Sequence, residues 1–358
     1  MDAVLAGLID QVQVAAAAHQ GLRIRGGGSK DFYGNTPQGQ LLDVRAWSGI
    51  QVYDPSELVI TARAGTSLAL IEATLAERGQ MLAFEPPHFS DSATIGGCIA
   101  AGLAGPRRAS AGYTAGSVRD FVLGAQLLDG RARQLRFGGT VIKNVAGYDV
   151  SRLLAGSLGI LGVILEVSVK VLPVARSQQT CVLQLHQTQA LRQCNVWSGQ
   201  PLPLSATAWL DGQLYVRWSG AEPAVQAAVA HCGGELLSAE AADRYWADVR
   251  EQRLPFFAGD APLWRLSLPS TAAPLVPDVP QLIEWGGAQR WLRSTLPAAA
   301  LRAQAARTGG HATLFRGIER SGGVFTPLSA AQQAIHQRLK AEFDPAGIFN
   351  VGRLIDGL

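Results

Sequence analysis

The chain has 358 residues, 47% of them apolar and only 16% charged, which gives room for two hydrophobic cores and excludes a disordered polypeptide. Its net charge of +3 comes without basic runs, and only four of its 31 basic residues are lysines, so a nucleic-acid partner is excluded. Cys98, Cys181, Cys194 and Cys232 contain no C-x-x-C pair, which excludes the usual iron–sulfur and structural zinc spacings and points to reduced, mostly buried thiols.

No basic region precedes an apolar run near Asp2 and Asp10, so no secretory signal is expected. The longest apolar run, Leu153 to Leu165, is about 13 residues and glycine-broken, short of the roughly 20 that cross a bilayer. The expectation is a cytoplasmic protein without a membrane span, at most peripheral at the inner membrane through a partner.

In chain order, Val4, Leu5, Leu8, Ile9, Val12 and Ala15 predict an amphipathic helix over 3–18. A strand over Leu22 to Arg25 stops at Gly26-Gly27-Gly28. Two more strands are expected over 41–44 and 57–62, then a helix from Thr66 to Arg78 with Thr66 or Ser67 as its N-cap. Residues 95–116, rich in Gly, Ala and Ser, read as a long loop, a feature usually tied to function. Strands follow near 121–128, 132–136 and 162–172. After Arg176 the composition shifts, with strands near 182–185, 206–210 and 213–218 and helices near 222–231 and 240–250. A helix from Ala330 to Phe343 ends at Asp344-Pro345, and 348–355 reads as extended.

Three glycine-containing segments carry chemistry. Arg25-Gly26-Gly27-Gly28-Ser29-Lys30 follows a strand, and such a triplet lets backbone N–H groups converge on an anion such as a diphosphate. A plain turn would use the same residues. Neither the Walker A spacing nor the G-x-G-x-x-G of a dinucleotide unit is present. Thr94-Ile95-Gly96-Gly97 begins a second small-residue loop, which equally fits a bend packed under a sheet. The third segment, Lys143-Asn144-Val145-Ala146-Gly147-Tyr148-Asp149, runs on to Gly156-Ser157-Leu158-Gly159-Ile160-Leu161-Gly162-Val163-Ile164. Loops followed by an apolar strand suit a planar heterocycle.

In combination these segments resemble the FAD domain shared by vanillyl-alcohol oxidase, D-lactate dehydrogenases and the flavoprotein subunits of glycolate oxidase. The stretch from Phe343-Asp344-Pro345 to Asn350-Val351-Gly352-Arg353 is similar to that family's closing signature. The resemblance covers residues 20–175 and the last 20, while the middle matches by size and position. It implies an α+β fold: a PCMH-type (vanillyl-alcohol-oxidase-like) FAD-binding domain of two subdomains over 1–175, built around mixed sheets, with a smaller α+β cap over 176–325. A tail over 326–358 would return to the FAD domain. By position it places the cofactor on Arg25 to Lys30, Pro87, Thr94 to Gly97, Lys143, Asn144, Gly147, Tyr148, Gly156, Gly159, Gly162, Val163, Ile164 and Asn350. The glycine loops would hold the pyrophosphate, the Val163–Ile164 strand the adenine side, and the Lys143–Tyr148 segment the flavin end.

What the resemblance implies for function is the FAD-binding subunit of a multi-subunit glycolate oxidase. Its partners would be a larger flavoprotein subunit and an iron–sulfur subunit, its reaction glycolate to glyoxylate, and its electrons would pass to quinone. With no His or Cys in or beside the Arg25–Lys30 loop, the FAD is expected to be non-covalent. The metal-and-base motif His-x-Gly-Asp-Gly-Asn of the catalytic subunits is missing, so no metal is expected. Oxidising a 2-hydroxy acid needs a base and a cation for the carboxylate. His311 and Arg316 are the candidates for those roles. The alternative for them is a strand with a satisfied histidine and a surface arginine. His88 reads either as a cofactor neighbour or as a loop residue. A self-contained 2-hydroxy-acid dehydrogenase and a non-catalytic structural subunit remain as other readings.

Overall fold

The apolar stripe at the start of the chain forms α1 (Ala3–Ala18), capped by Asp2, whose carboxylate accepts from the Val4 amide at 2.9 Å. In this computed structural model residues 2–109, 116–140, 149–320, 322–355 and 358 are described. The expected flavin-end residues Lys143, Asn144, Gly147 and Tyr148 lie outside them.

α1 buries Leu5, Leu8, Val12 and Ala15 in a core shared with β1 (Leu22–Arg25) and β2 (Gln40–Asp43), which pair in parallel. β3 (Ile50–Asp54), β4 (Val59–Arg63), α2 (Leu68–Ala76), β5 (Gln80–Met81) and α3 (Ile95–Ala101) follow. Next come α4 (Val118–Phe121), β6 (Val122–Leu128), β7 (Gln134–Gly138), α5 (Val150–Leu153), β8 (Val163–Lys170) and β9 (Leu172–Pro173). Five of these strands form a sheet in the order β3-β4-β8-β6-β7. Its inner face packs Ile60, Ala62, Val167 and Val169 against Leu68, Ile71 and Leu75 of α2 and Ile99 of α3. β1 and β2 are thus held over one end of β8, and the glycine triplet lies between the two layers.

The second half contains β10 (Ser177–Gln184), α6 (Gln187–Ser198), β11 (Leu204–Leu210), β12 (Gln213–Gly220), α7 (Glu222–Cys232), β13 (Glu235–Leu236) and α8 (Ala239–Arg250). It continues with β14 (Leu263–Ser267), β15 (Gln281–Glu284), β16 (Gln289–Arg293), α9 (Ala298–Arg307), β17 (His311–Arg316) and α10 (Ala330–Phe343). Its strands make one sheet in the order β13-β10-β12-β11-β15-β16-β14-β17. One face packs Trp291, Leu282, Leu263 and Phe315 against Tyr33, Leu103 and Leu158 of the first half. Polar ties cross the same boundary: Arg265 to the Tyr33 hydroxyl at 2.9 Å, Trp285 to the Gly105 carbonyl at 3.0 Å, and Arg217 to Glu85 at 2.9 Å.

Three expectations change. Mixed sheets were expected, yet among the described residues every pairing in both large sheets is antiparallel, and parallel geometry occurs at β1–β2 and the Leu22–Phe349 bridge. Residues 95–101 are helical, because Thr94 caps the segment through its hydroxyl and Gly102 closes it at φ 64°. Residues 348–355 form turns around one bridge at Phe349, since Asn350 takes a positive φ of 41° and breaks any extended run.

Candidate functional site

Between the two layers of the first half lies a cleft of about 810 Å³, open to solvent. It is lined by the Gly26–Lys30 loop, by Thr94, Gly96 and Gly97, by Gly159, Gly162 and Ile164, and by Asn350 and Arg353. The loop leaves β1 with its backbone pressed onto its surroundings. A Cβ on Gly27 would overlap the Ser92 carbonyl, and Gly28 sits at φ 74° with Arg25 folded over it. Side chains other than hydrogen are thus kept out, and the main chain forms the wall. Among the described residues, nothing accepts a hydrogen bond from the amides of Gly26, Gly27, Gly28, Ser29 or Lys30. Consecutive unspent N–H groups in a concave turn are an anion nest.

The charge around the nest matches. Arg23, Arg25, Lys30 and Arg353 all line the cleft, against one acid, Asp31, which is already bound to Arg25 at 2.6 Å. The Arg23 Nε is buried without a partner. Lys30 reaches Ser29 Oγ at 3.2 Å and the His88 carbonyl at 3.3 Å, and burial pulls its ammonium below the usual lysine range. Arg353 is pushed down to about 10 by burial and braces the loop through the Lys30 and Asp31 carbonyls. A diphosphate would relieve the unspent amides and the crowded cations together.

The expected cofactor residues divide into those that line the cleft and those that support it. The amides of Ile95 and Gly96 are already committed to the Thr66 and Ala64 carbonyls, and that of Gly97 to the Thr94 hydroxyl. The second loop therefore offers close approach and not free donors. Ile95 is core, and Val163, one residue before the cleft-lining Ile164, points into the core under α1 by strand alternation. Gly156 supports α3, donating its amide to the Ile99 carbonyl. Asn350 accepts from the Ile24 amide at 2.8 Å and donates to the Leu158 carbonyl, tying the two sides of the cleft. Arg23 and Arg353 belong to the lining and were missed, although a basic residue alternating on the strand before a glycine triplet is a readable signal.

His311 and Arg316 occupy opposite ends of β17, about 16 Å apart at strand rise, so they do not form one acid–cation pair. Arg316 stacks over Phe32 at 4.6 Å and Phe89 at 5.2 Å, on the stretch that follows the glycine loop. Burial and nearby Arg293 lower it to about 10, and no carboxylate among the described residues pairs with it. His311 stands exposed opposite Ser267, its imidazole held below the ordinary range by partial burial and by Arg265. His88 Nε2 lies 3.1 Å from a Glu72 carboxylate oxygen without forming a hydrogen bond, and Glu251 from the second half accepts from the His88 and Phe89 amides.

Beyond Phe89 a second, much smaller cavity with room for little more than a water lies between the halves, lined by Pro87, Phe89, Gly105, Arg265, Glu284 and Trp291 among others. Pro87 belongs here and not to the main cleft. No three His, Cys, Asp or Glu side chains among the described residues are placed to hold a metal ion.

Residues 6–151 match the family model described as an FAD binding domain. The glycolate oxidase subunit GlcE of Escherichia coli (strain K12) is 49% identical over 349 residues, covering 97% of this chain and 96% of that protein. The chain belongs to the GlcE family. Other relatives match a shorter stretch of it: the glycolate oxidase subunit GlcD of Bacillus subtilis (strain 168) is 32% identical over 40% of this chain and 30% of its own length. A D-lactate dehydrogenase of Archaeoglobus fulgidus is 29% identical over 48% of this chain and 38% of that protein. A solved alkyldihydroxyacetonephosphate synthase superposes with a TM-score of 0.67 over 96% of this chain and 73% of its own, at 14% identity. That likeness gives this GlcE-family chain a vanillyl-alcohol-oxidase-type fold, and the family places it among FAD-binding oxidoreductases.

Proposed function

We propose that the chain is the FAD-binding subunit of a multi-subunit glycolate oxidase. In this reading residues 1–175 hold the cofactor, 176–325 cap it, and 326–358 return to close the cleft. The observation that carries it is the run of unspent amides from Gly26 to Lys30 among arginines, in a chain of the GlcE family. Bound FAD would accept the two electrons released when a 2-hydroxy acid becomes a 2-keto acid. The chain's own part is to clamp the diphosphate at the glycine nest, to seat the adenine side beside Gly162 and Ile164, and to keep a cation, Arg316, beyond Phe32. His311, exposed and a strand length away, takes no part.

In this reading the FAD is held non-covalently: among the described residues the histidine beside the glycine loop is His88, whose Nε2 lies 3.1 Å from the Glu72 carboxylate. Electrons leave through a larger flavoprotein subunit and an iron–sulfur subunit toward quinone; no helix among the described residues is long and apolar enough to cross a membrane. Acid precipitation of the FAD-loaded chain should release all flavin into the supernatant. An anaerobic absorbance scan with glycolate, before and after the larger subunit is added, should show bleaching in the complex. A chain that stays colourless after reconstitution with FAD would overturn the reading.

A further inference from the structure

Residues 85–92 run between β5 and α3 without helix or strand, and two of them, Glu85 and Phe89, take positive φ angles of 45° and 59°. Residues other than glycine keep such angles only where their neighbours fix them. One side of this segment meets the glycine loop. Lys30 donates to the His88 carbonyl at 3.3 Å, and the Ser92 hydroxyl donates to the Gly27 carbonyl at 2.7 Å. The Ser92 carbonyl fills the space where a Gly27 side chain would stand. The other side meets the second half, where Glu251 accepts from the Phe89 amide at 2.8 Å and from the His88 amide at 3.1 Å. Among the described residues no other group accepts from those two amides.

Glu251 is the C-cap of α8, and its side chain is only 8% exposed. A carboxylate there faces the negative end of the helix dipole, so its place is set by what it binds. Arg250 Nε bonds one of its oxygens at 2.8 Å, and the two amides occupy the remainder of the group. Burial lowers the Lys30 ammonium, and the Glu251 charge acts against that. We propose that Glu251 is a positioning residue for the cofactor: from the second half it fixes residues 85–92, and through them it sets Lys30 and Gly27 against the diphosphate. The inference rests on the FAD-subunit reading and deepens it, because the nest then needs the second half to take its binding shape. Without the carboxylate the Phe89 turn loses its anchor, the His88 carbonyl leaves Lys30, and FAD must order the loop as it binds. Ordering of that kind lowers affinity without removing any contact to the ligand.

The test compares the whole chain with Glu251→Gln, which keeps one acceptor oxygen, and with Glu251→Ala, which keeps none. Glu240→Gln, at an exposed acid in the first turn of the same helix, is the control. Flavin fluorescence during titration of each flavin-free chain gives the FAD dissociation constant, and hydrogen exchange read by mass spectrometry follows residues 85–92. Glu251→Ala is expected to weaken FAD binding about tenfold, a usual size for coupling between linked sites. Glu251→Gln should lose less, and Glu240→Gln should match the parent. In both Glu251 variants exchange should quicken in residues 85–92 and not throughout the second half. Because the effect passes onto Lys30, Lys30→Met combined with Glu251→Gln should lose less affinity than the two single losses together. Parent-like affinity in the Glu251 variants, additive losses in the double variant, or faster exchange across the whole second half overturns the proposal. If Glu251→Ala does not fold, Glu251→Gln and the double variant decide. A parent chain that takes up no FAD overturns the earlier reading, and this inference with it, before any variant is made.

Discussion

Lys340 Nζ lies 2.6 Å from Asp344 Oδ2, one turn apart at the end of α10, with both side chains buried. The same ammonium donates to the Ile160 and Phe349 carbonyls at 2.8 and 2.7 Å, and Asp344 accepts from the Ile348 and Phe349 amides. One ion pair therefore joins α10, the turn before β8 and the segment that carries Asn350. Removing one partner strands the other in the core, so Asp344→Ala should cost about 3–5 kcal/mol. Chemical denaturation monitored by circular dichroism checks this; a loss below about 1 kcal/mol would show that the pair contributes little.

Glycine substitutions separate the nest from ordinary turns. Gly27→Ala should abolish flavin retention, because its Cβ would overlap the Ser92 carbonyl. Gly139→Ala, where a Cβ meets nothing within 4 Å, should keep it. Absorbance of bound flavin after gel filtration reads both variants.

Glu85 pairs with Arg107 of its own half at 3.2 Å and joins the halves through Arg217 at 2.9 Å. Burial opposes its ionisation, but the Arg217 and Arg107 guanidiniums outweigh it and hold the carboxyl below its ordinary range. A depressed folded-state value means that the stabilisation is present above about pH 4.5 and lost as pH falls through the lower value. Glu85→Gln should weaken the union of the halves at pH 7 and flatten the acid side of the stability curve. Urea unfolding at pH 7 and pH 4 tests it, with equal shifts at both values counting against the assignment.

Glu284 has the opposite sign. Its folded-state value of about 7 stands above the ordinary 4.5, so its contribution is whole below about pH 4.5 and lost as pH rises through 7. Glu284→Gln should therefore be more stable than the parent at pH 8, by about 2–3 kcal/mol, and equal to it near pH 4. Melting temperatures across that range give the answer, and a difference independent of pH would mean that the carboxyl titrates in its ordinary range.

The N-terminal helix over 3–18, β1 and α10 were legible because capping residues and apolar spacing are local signals. The glycine triplet itself was legible at the end of β1, but a plain turn would use the same residues, and it is the unspent amides of the folded loop that distinguish the two. β14 to β17 were not, because their partners lie far along the chain and their registers follow from pairing alone. The helix at Ile95 hid behind glycines that a single Thr94 cap was enough to organise. His311 and Arg316 looked like a pair in sequence, but an extended strand carries such residues apart, where a helix would have brought them near. Glu284 drew no notice as one acid beside Trp285. Its only clue was a carboxyl ending a strand whose residues are all buried, which becomes visible after folding.

The Leu22–Phe349 bridge also sets an order of events during synthesis. Leu22 donates its amide to the Ile348 carbonyl, and Ile24 donates to Asn350 across 326 positions of chain. While a ribosome is still adding the second half, β1 lacks that neighbour and the cleft lacks Asn350 and Arg353. Because chains fold from the N-terminus as they emerge, the nascent glycine loop waits with its wall incomplete. Flavin capture thus becomes a late, whole-chain event, and a product interrupted before residue 348 would leave the ribosome unable to retain its pigment.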